Sequence, residues 1–403
     1  MQAFWKAIAR AATGLAVAAV LAVSAGPAAQ ASSQGVTDTE ITIGALGALT
    51  GATAFIGGPG RDGIQLAVDK INEAGGINGR KLKLIFEHAF TPAESVAAAK
   101  KLVESDKVFV LILASGSTGA AAAANYVRET GVATYNIYGA TPIIRKPFAK
   151  NVFHSAIPGA EVSSQAMIDR AFEARPKAKK IGVLAGTYAF PQANKKATIP
   201  LLKKKGVEFV VEEFDQGSRD FTSQLLSFAR ARVEAVLIFG SFSEAGFAIK
   251  QGPEKGLTGV TWVVDGSAVN DAIVPILGAE NTKNVWGYYN APYFPGQSDA
   301  PITAYKKMWT AKYGKAPQGR PNLYDLVGYG STYVLAEAMK NAGKNLNWDS
   351  LIAAWSSLKN SKPSNLGGVE ITFPQSFSKT NHQGSTELGK AAIKGGIWQV
   401  VPK

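Results

Sequence analysis

With 403 residues, 46% of them apolar and 18% charged, the chain has the composition of a folded globular protein and is too long for one ordinary core. It contains no cysteine, which excludes disulfides, thiol nucleophiles, thiolate metal sites and a lipid-modified cysteine. The net charge of +13 implies either an anionic partner or a basic solvated surface. The lysines cluster at 179–180, 195–196 and 203–205 without the interleaved aromatics that single-strand binders use, so a solvated surface is expected and nucleic acid is not.

The N-terminal 31 residues read as a secretory leader. Lys6 and Arg10 precede an apolar run over 11–25, Pro27 follows, and Ala29-Gln30-Ala31 fits the small-x-small rule for cleavage. The run is about 15 residues, too short for a stable span. A cut after Ala31 leaves about 370 residues, enough for two lobes. No later run reaches the roughly 18 apolar residues of a membrane helix, so an exported protein without a membrane anchor is expected.

Residues 41–46 open the folded part with a strand pattern. A Gly- and Ala-rich loop over 49–59 follows, then a helix over 60–73 with Ile64, Ala67, Val68 and Ile71 on one face, ended by Gly75-Gly76. Leu82, Leu84 and Phe86 alternate as a second strand, and Pro92 opens a second helix. The continuous apolar run 108–113 predicts a strand buried on both faces. The segment 115–119 turns into another helix, and 132–135 is the next strand. The rhythm restarts with strands over 181–185, 207–212, 235–239 and 261–264, alternating with helices over 191–205, 219–230 and 244–251. Pro200 should kink or end the first of these helices. Two further helices are expected over 322–341 and 348–359. This is an α/β pattern of two doubly wound parallel sheets, plus helices that suggest a chain crossing between lobes more than once.

Ligands of such sheets sit beyond the carboxyl ends of the strands. The turns to watch are therefore 52–60, 115–119 and 136–141 in the first half, and 186–191, 240–244 and 265–268 in the second. Gly58-Pro59-Gly60-Arg61-Asp62-Gly63 matches G-x-G-x-x-G. About a dozen residues separate it from the strand, however, and proline blocks one N–H, so a loop entering a helix is expected instead of a nucleotide site. His88, His154 and His382 are too scattered for a metal centre. Ser117 lacks the glycine of a nucleophile elbow two residues before it. No cofactor and no catalytic residue is expected. Ser115-Gly116-Ser117-Thr118-Gly119 can offer free N–H groups and the positive end of a helix to a carboxylate, or can serve as an ordinary cap. Phe190 and Phe242 read as core or as cleft wall. Asp265, at a strand end, can pair with a ligand ammonium or cap the segment after Gly266.

Several local patterns carry a resemblance: Ile43-Gly44-Ala45 with Thr50-Gly51, the stretch Ile71-Asn72-Glu73-Ala74-Gly75-Gly76-Ile77-Asn78-Gly79-Arg80, the turn from Ser115 to Thr118, Gly131-Val132 and Ala140-Thr141-Pro142. In these the chain resembles, from about Ile41 to its C-terminus, the type I periplasmic binding proteins of the branched-chain amino acid (leucine-binding protein) family. The resemblance implies two lobes joined by three crossovers that close over one solute, with lobe 1 at 32–156 and 287–370 and lobe 2 at 157–286 and 371–403. It implies a ligand carboxylate held by Ser117, Thr118, Gly139 and Thr141, and an opposing wall of Phe190, Phe242 and Asp265. Phe55 or Ile56 falls where relatives often carry tyrosine, and Tyr138 lies nearby. Phe190 and Phe242 also replace tyrosines, which makes the cleft drier. Asp265 argues for an amino acid, and the surplus phenylalanines argue for a bulky apolar side chain or an aromatic acid. The expected role is a periplasmic receptor, monomeric, that passes a small carboxylate-bearing solute to the permease of an ABC importer. An amide or urea-type ligand, or a partnership with a membrane signalling protein, are the alternatives.

Overall fold

The computed structural model describes residues 33–401 apart from Gln318. The leader and its cleavage point lie outside the described residues. No helix among the described residues is long and apolar enough to cross a membrane.

The first sheet is built from β1 (Glu40–Gly47), β2 (Lys81–His88), β3 (Val110–Leu113), β4 (Thr134–Asn136) and β5 (Val152–His154). All neighbours are parallel and the order is β2-β1-β3-β4-β5. Its crossovers are α1 (Ala54–Glu73), α2 (Pro92–Lys100), α3 (Gly116–Thr130) and the short α4 (Pro142–Arg145). After α5 (Ala160–Ala174) the second sheet repeats the scheme. It takes β6 (Lys180–Gly186), β7 (Glu208–Phe214), β8 (Ala235–Phe239), β9 (Thr261–Val264) and β10 (Val285–Tyr289), with crossovers α6 (Ala189–Lys205), α7 (Thr222–Ala231), α8 (Phe242–Gln251) and α9 (Val274–Leu277). Its parallel part runs β7-β6-β8-β9-β10, the same winding as the first sheet. The chain then forms α10 (Ala300–Tyr313), α11 (Leu323–Asn341) and α12 (Trp348–Ser357). It returns as an antiparallel hairpin, β11 (Gly389–Lys394) and β12 (Ile397–Val401), on the edge of β10. Gly395 and Gly396, at φ 60° and 79°, make the two-residue turn, a conformation that favours glycine at both places. In both sheets the winding reverses between the first strand and its second neighbour, so β1/β3 and β6/β8 each open a crevice at their carboxyl ends.

The G-x-G-x-x-G match belongs to a helix crossing. α1 starts at Ala54, six residues earlier than its periodicity predicts, and its glycines let α11 approach. A Cβ at Gly63 would lie 2.1 Å from the Asp325 carbonyl oxygen, and one at Gly60 would lie 2.8 Å from the Tyr138 ring. Pro59 sits inside α1 and leaves the Phe55 carbonyl without its helical donor; the Asn322 side chain donates to that oxygen instead (3.2 Å). Gly63→Ala is therefore expected to force the two helices apart and to cost about 1–3 kcal/mol in urea denaturation, whereas Gly58→Ala, at a half-buried position where a Cβ would meet nothing within 4 Å, should cost no such strain.

Other expectations shift for local reasons. α6 continues through Pro200, which lies on its exposed face, where water can replace the lost bond. α10 escapes the sequence reading, although Ile302, Tyr305 and Trp309 are buried along one side of it. β10 runs on to Tyr289, so the second sheet extends past the boundary expected at 286. Residues around 375–383 bond to the first sheet's end, with His154 N–H donating to the His382 carbonyl and Gly384 N–H to the His154 carbonyl. The last passage into the second sheet thus falls just before β11, later than the expected 371.

Candidate functional site

A cavity of about 400 Å3 lies where the two crevices face each other. One wall comes from the turns after β1 and β3. Ser115 precedes α3, Gly116 takes a left-handed φ of 69°, and both lie on the cavity lining, so the N-terminal turn of the helix, with its free N–H groups, begins at this wall. No acidic residue stands in that first turn, so the positive end of α3 is uncompensated. Ser117 is buried at the cavity wall, and its hydroxyl oxygen accepts from Ala140 N–H (3.0 Å), leaving its proton for a ligand. Thr118 lines the cavity beside it.

Phe55 and Ile56, on the first turn of α1, and the Tyr138 ring complete this wall. The Tyr138 hydroxyl donates to the buried Tyr324 carbonyl, and burial holds its pKa well above the usual phenol value. Phe55 meets Phe242 of the opposite lobe edge-on (ring centres 5.5 Å) and Tyr324 (5.8 Å), so one side of the cavity is closed by an aromatic contact between the lobes.

The opposing wall comes from the turns after β6, β7 and β8. Phe190 and Tyr188 line it, with Phe247 one turn further out on α8. Between them stands Glu244. Ser241 and Glu244 form a reciprocal cap on α8, and the Glu244 carboxylate also accepts from Gly217 N–H (2.7 Å) and the Tyr188 hydroxyl (2.8 Å). These bonds fix an acid at the cavity wall and tie the β6, β7 and β8 turns together.

Four expected contacts are not on the lining. Asp265 has no exposed surface; its carboxylate accepts from Gly240 N–H (2.9 Å) and Ser267 N–H (2.7 Å), stitching the ends of β8 and β9 behind the wall. Burial pushes its pKa up to about 6, with the nearby Glu244 charge adding to the rise. The acid that reaches the cavity from this lobe is Glu244. Thr141 is spent as the cap of α4, accepting from Ile143 N–H (3.5 Å). Gly139 gives its N–H to the Asn136 side chain and its carbonyl to Asn136 and Arg145. Phe242 packs against Phe55 as described. Phe55, Ile56, Ser117, Thr118, Tyr138 and Phe190 do share the cavity. Sequence reasoning missed Glu244, although Ser241-Phe242-Ser243-Glu244 is a capping-box pattern at a turn where ligands are expected. It also missed Tyr188, Tyr288, Asn290 and Tyr324, which have no local signal.

A model of the periplasmic binding protein family matches residues 40–396. An amino acid binding protein of Pseudomonas aeruginosa is 28% identical over 308 residues, 76% of this chain and 80% of that one. Two solved structures share the fold. A branched-chain amino acid transporter substrate-binding protein from Streptococcus pneumoniae, in complex with isoleucine, matches with a TM-score of 0.73 at 21% identity, over 91% of this chain and 100% of that chain. A solute-binding protein of an ABC transporter from Rhodopseudomonas palustris, in complex with 3,4-dihydroxybenzoic acid, matches with a TM-score of 0.74 at 22% identity, over 90% and 96%. The chain belongs to the type I periplasmic binding proteins, in the branched-chain amino acid family. It is a solute-binding protein and not an enzyme.

Proposed function

We propose that this protein is an exported, monomeric periplasmic receptor that closes over an amino acid with a largely apolar body and delivers it to the permease of an ABC importer. The carrying observation is the polarity of the cavity. One wall presents the N-terminal turn of α3 with Ser117, suited to a carboxylate; the other presents Glu244, with Asp265 behind it, suited to an ammonium. The aromatic rings between them suit an apolar body, and the P. aeruginosa relative's name supports an amino acid. Closure is favoured because a solute touching both walls makes contacts that the open form lacks.

An aromatic carboxylate is the second reading, favoured by the ring-lined walls and by the ligand of the R. palustris protein. It would place an anion in a cavity that carries the Glu244 carboxylate, with the Arg219 guanidinium on the lining as the available counter-charge. Isothermal calorimetry with leucine, isoleucine, valine and phenylalanine against benzoate and 3,4-dihydroxybenzoate separates the two; binding of the aromatic acids alone would reject the amino acid.

The pH dependence gives an independent check. Asp265 carries its charge above about 6 and loses it as the pH falls through that value. An ammonium ligand is therefore expected to bind at constant strength above pH 7 and to weaken below 6, by less than the about tenfold per pH unit of a direct counter-charge, because the Asp265 carboxyl stands behind the wall. A bare carboxylate should show the opposite trend.

A further inference from the structure

We propose that the side-chain amide of Asn290 is a specificity-determining contact, and that the solute's apolar body ends in a neutral hydrogen-bonding group, a hydroxyl or a carboxamide, which meets it. This rests on the amino acid reading of the cavity and names the kind of side chain that fits.

Asn290 directly follows β10, where the chain leaves the second sheet. It lines the cavity, is only 4% exposed, and its side chain forms no hydrogen bond with any other described residue; its Nδ2 is shut off from solvent without a partner. Buried polar groups in folded proteins are almost always paired, so an idle amide in a cavity wall requires a reason. The room for it is built in. A Cβ at Gly266 would lie 2.4 Å from Asn290 Oδ1 and 3.0 Å from the Tyr288 ring, and Gly266 does not have a left-handed φ. Glycine at 266 provides space for this amide and is not there for a turn.

The neighbouring polar groups point the same way. Tyr324 and Tyr288 line the same part of the cavity. The Tyr324 hydroxyl bonds to no described residue, and its electrostatic neighbours are Asp265 and Tyr288. An opening of the cleft would let water reach these groups. When the lobes close on a solute, that water is displaced, and a purely aliphatic end would leave the Asn290 amide unpaired, at a cost. An amide has both a donor and an acceptor, so it can take a hydroxyl with one bond or a carboxamide with two. A site built around such a group discriminates against the analogue that lacks it far more strongly than an apolar pocket discriminates by size.

The test uses pairs that differ in that group alone: L-tyrosine with L-phenylalanine, and L-asparagine with L-leucine, titrated into the mature protein by calorimetry. The polar member of at least one pair is expected to bind at least about tenfold more tightly, and Asn290→Leu should abolish or reverse that preference while circular dichroism stays unchanged. Asn290→Asp, which keeps the shape and the acceptor, should lose the carboxamide preference before the hydroxyl preference. If the wild-type protein prefers the apolar member of both pairs, the proposal is overturned whether or not the variants fold. An unchanged ratio in Asn290→Leu also overturns it, since a trapped water or another group would then be doing the reading. If no amino acid binds while benzoate does, the amino acid reading itself has failed and this proposal falls with it, a result distinct from either of the others.

Discussion

Arg320→Ala is expected to lower the free energy of unfolding by about 3–5 kcal/mol, the usual cost of stranding buried charge. Arg320 donates to Asp62 Oδ2 (2.9 Å) and to both oxygens of Asp325 (2.9 and 2.6 Å), and its guanidinium lies over the Trp309 ring (5.2 Å). Asp325 is fully buried and also receives Trp309 Nε1–H (3.0 Å) and Asn322 N–H (2.7 Å). The cluster joins α1 to α11 next to Tyr324, so its loss should reach the cavity as well. The sign of the pH dependence separates this from a packing defect. Burial already pushes Asp325 up to about 6 even with Arg320 beside it, and removal of the guanidinium raises it further. A carboxyl whose folded value is raised favours the folded state at low pH and loses that contribution as the pH rises through its folded value. The deficit of Arg320→Ala should therefore be larger at pH 7.5 than at pH 5. Urea denaturation at the two values checks it; an equal deficit at both would point to lost packing instead.

Glu244→Gln is the second large effect. If Glu244 is the counter-charge for a ligand ammonium, its removal should weaken the amino acid that the wild-type protein binds by about 2–5 kcal/mol. Part of the effect is positional. The carboxylate accepts from Tyr188, Gly217 and Ser241, and an amide in its place turns an NH2 group toward one of these donors. The charge component is isolated by titrating benzoate into the same variant, since an anion should bind no worse, or better, once the negative charge is gone. A parallel loss for both ligands would show that Glu244 only holds the wall in shape. Asp265→Asn, measured alongside, should have the smaller effect on affinity, because its carboxyl is separated from the cavity by the chain at Gly240 and Ser267.

The alternation of strands and helices was legible in the sequence because it rests on local periodicity: the run 108–113 is buried on both faces and the face of Ile64, Ala67, Val68 and Ile71 packs inward. The same rhythm, with its turns at the carboxyl ends of strands, located the cavity and one of its walls, since Ser117 and Thr118 belong to the turn that any such sheet offers to a ligand. Tertiary structure decided which polar groups remain free. Asp265, Gly139 and Thr141 stand in the right turns, but neighbours take up their hydrogen bonds, and Asp265 is held by Gly240, 25 residues away in the chain. Glu244 is set at the wall by Gly217 and Tyr188, 27 and 56 residues distant, and Asn290 has room at the wall because residue 266 has no side chain. A residue's type and spacing fix what it can bond to, whereas the competition among buried donors and acceptors, settled only when distant strands converge, fixes which groups are left for a ligand.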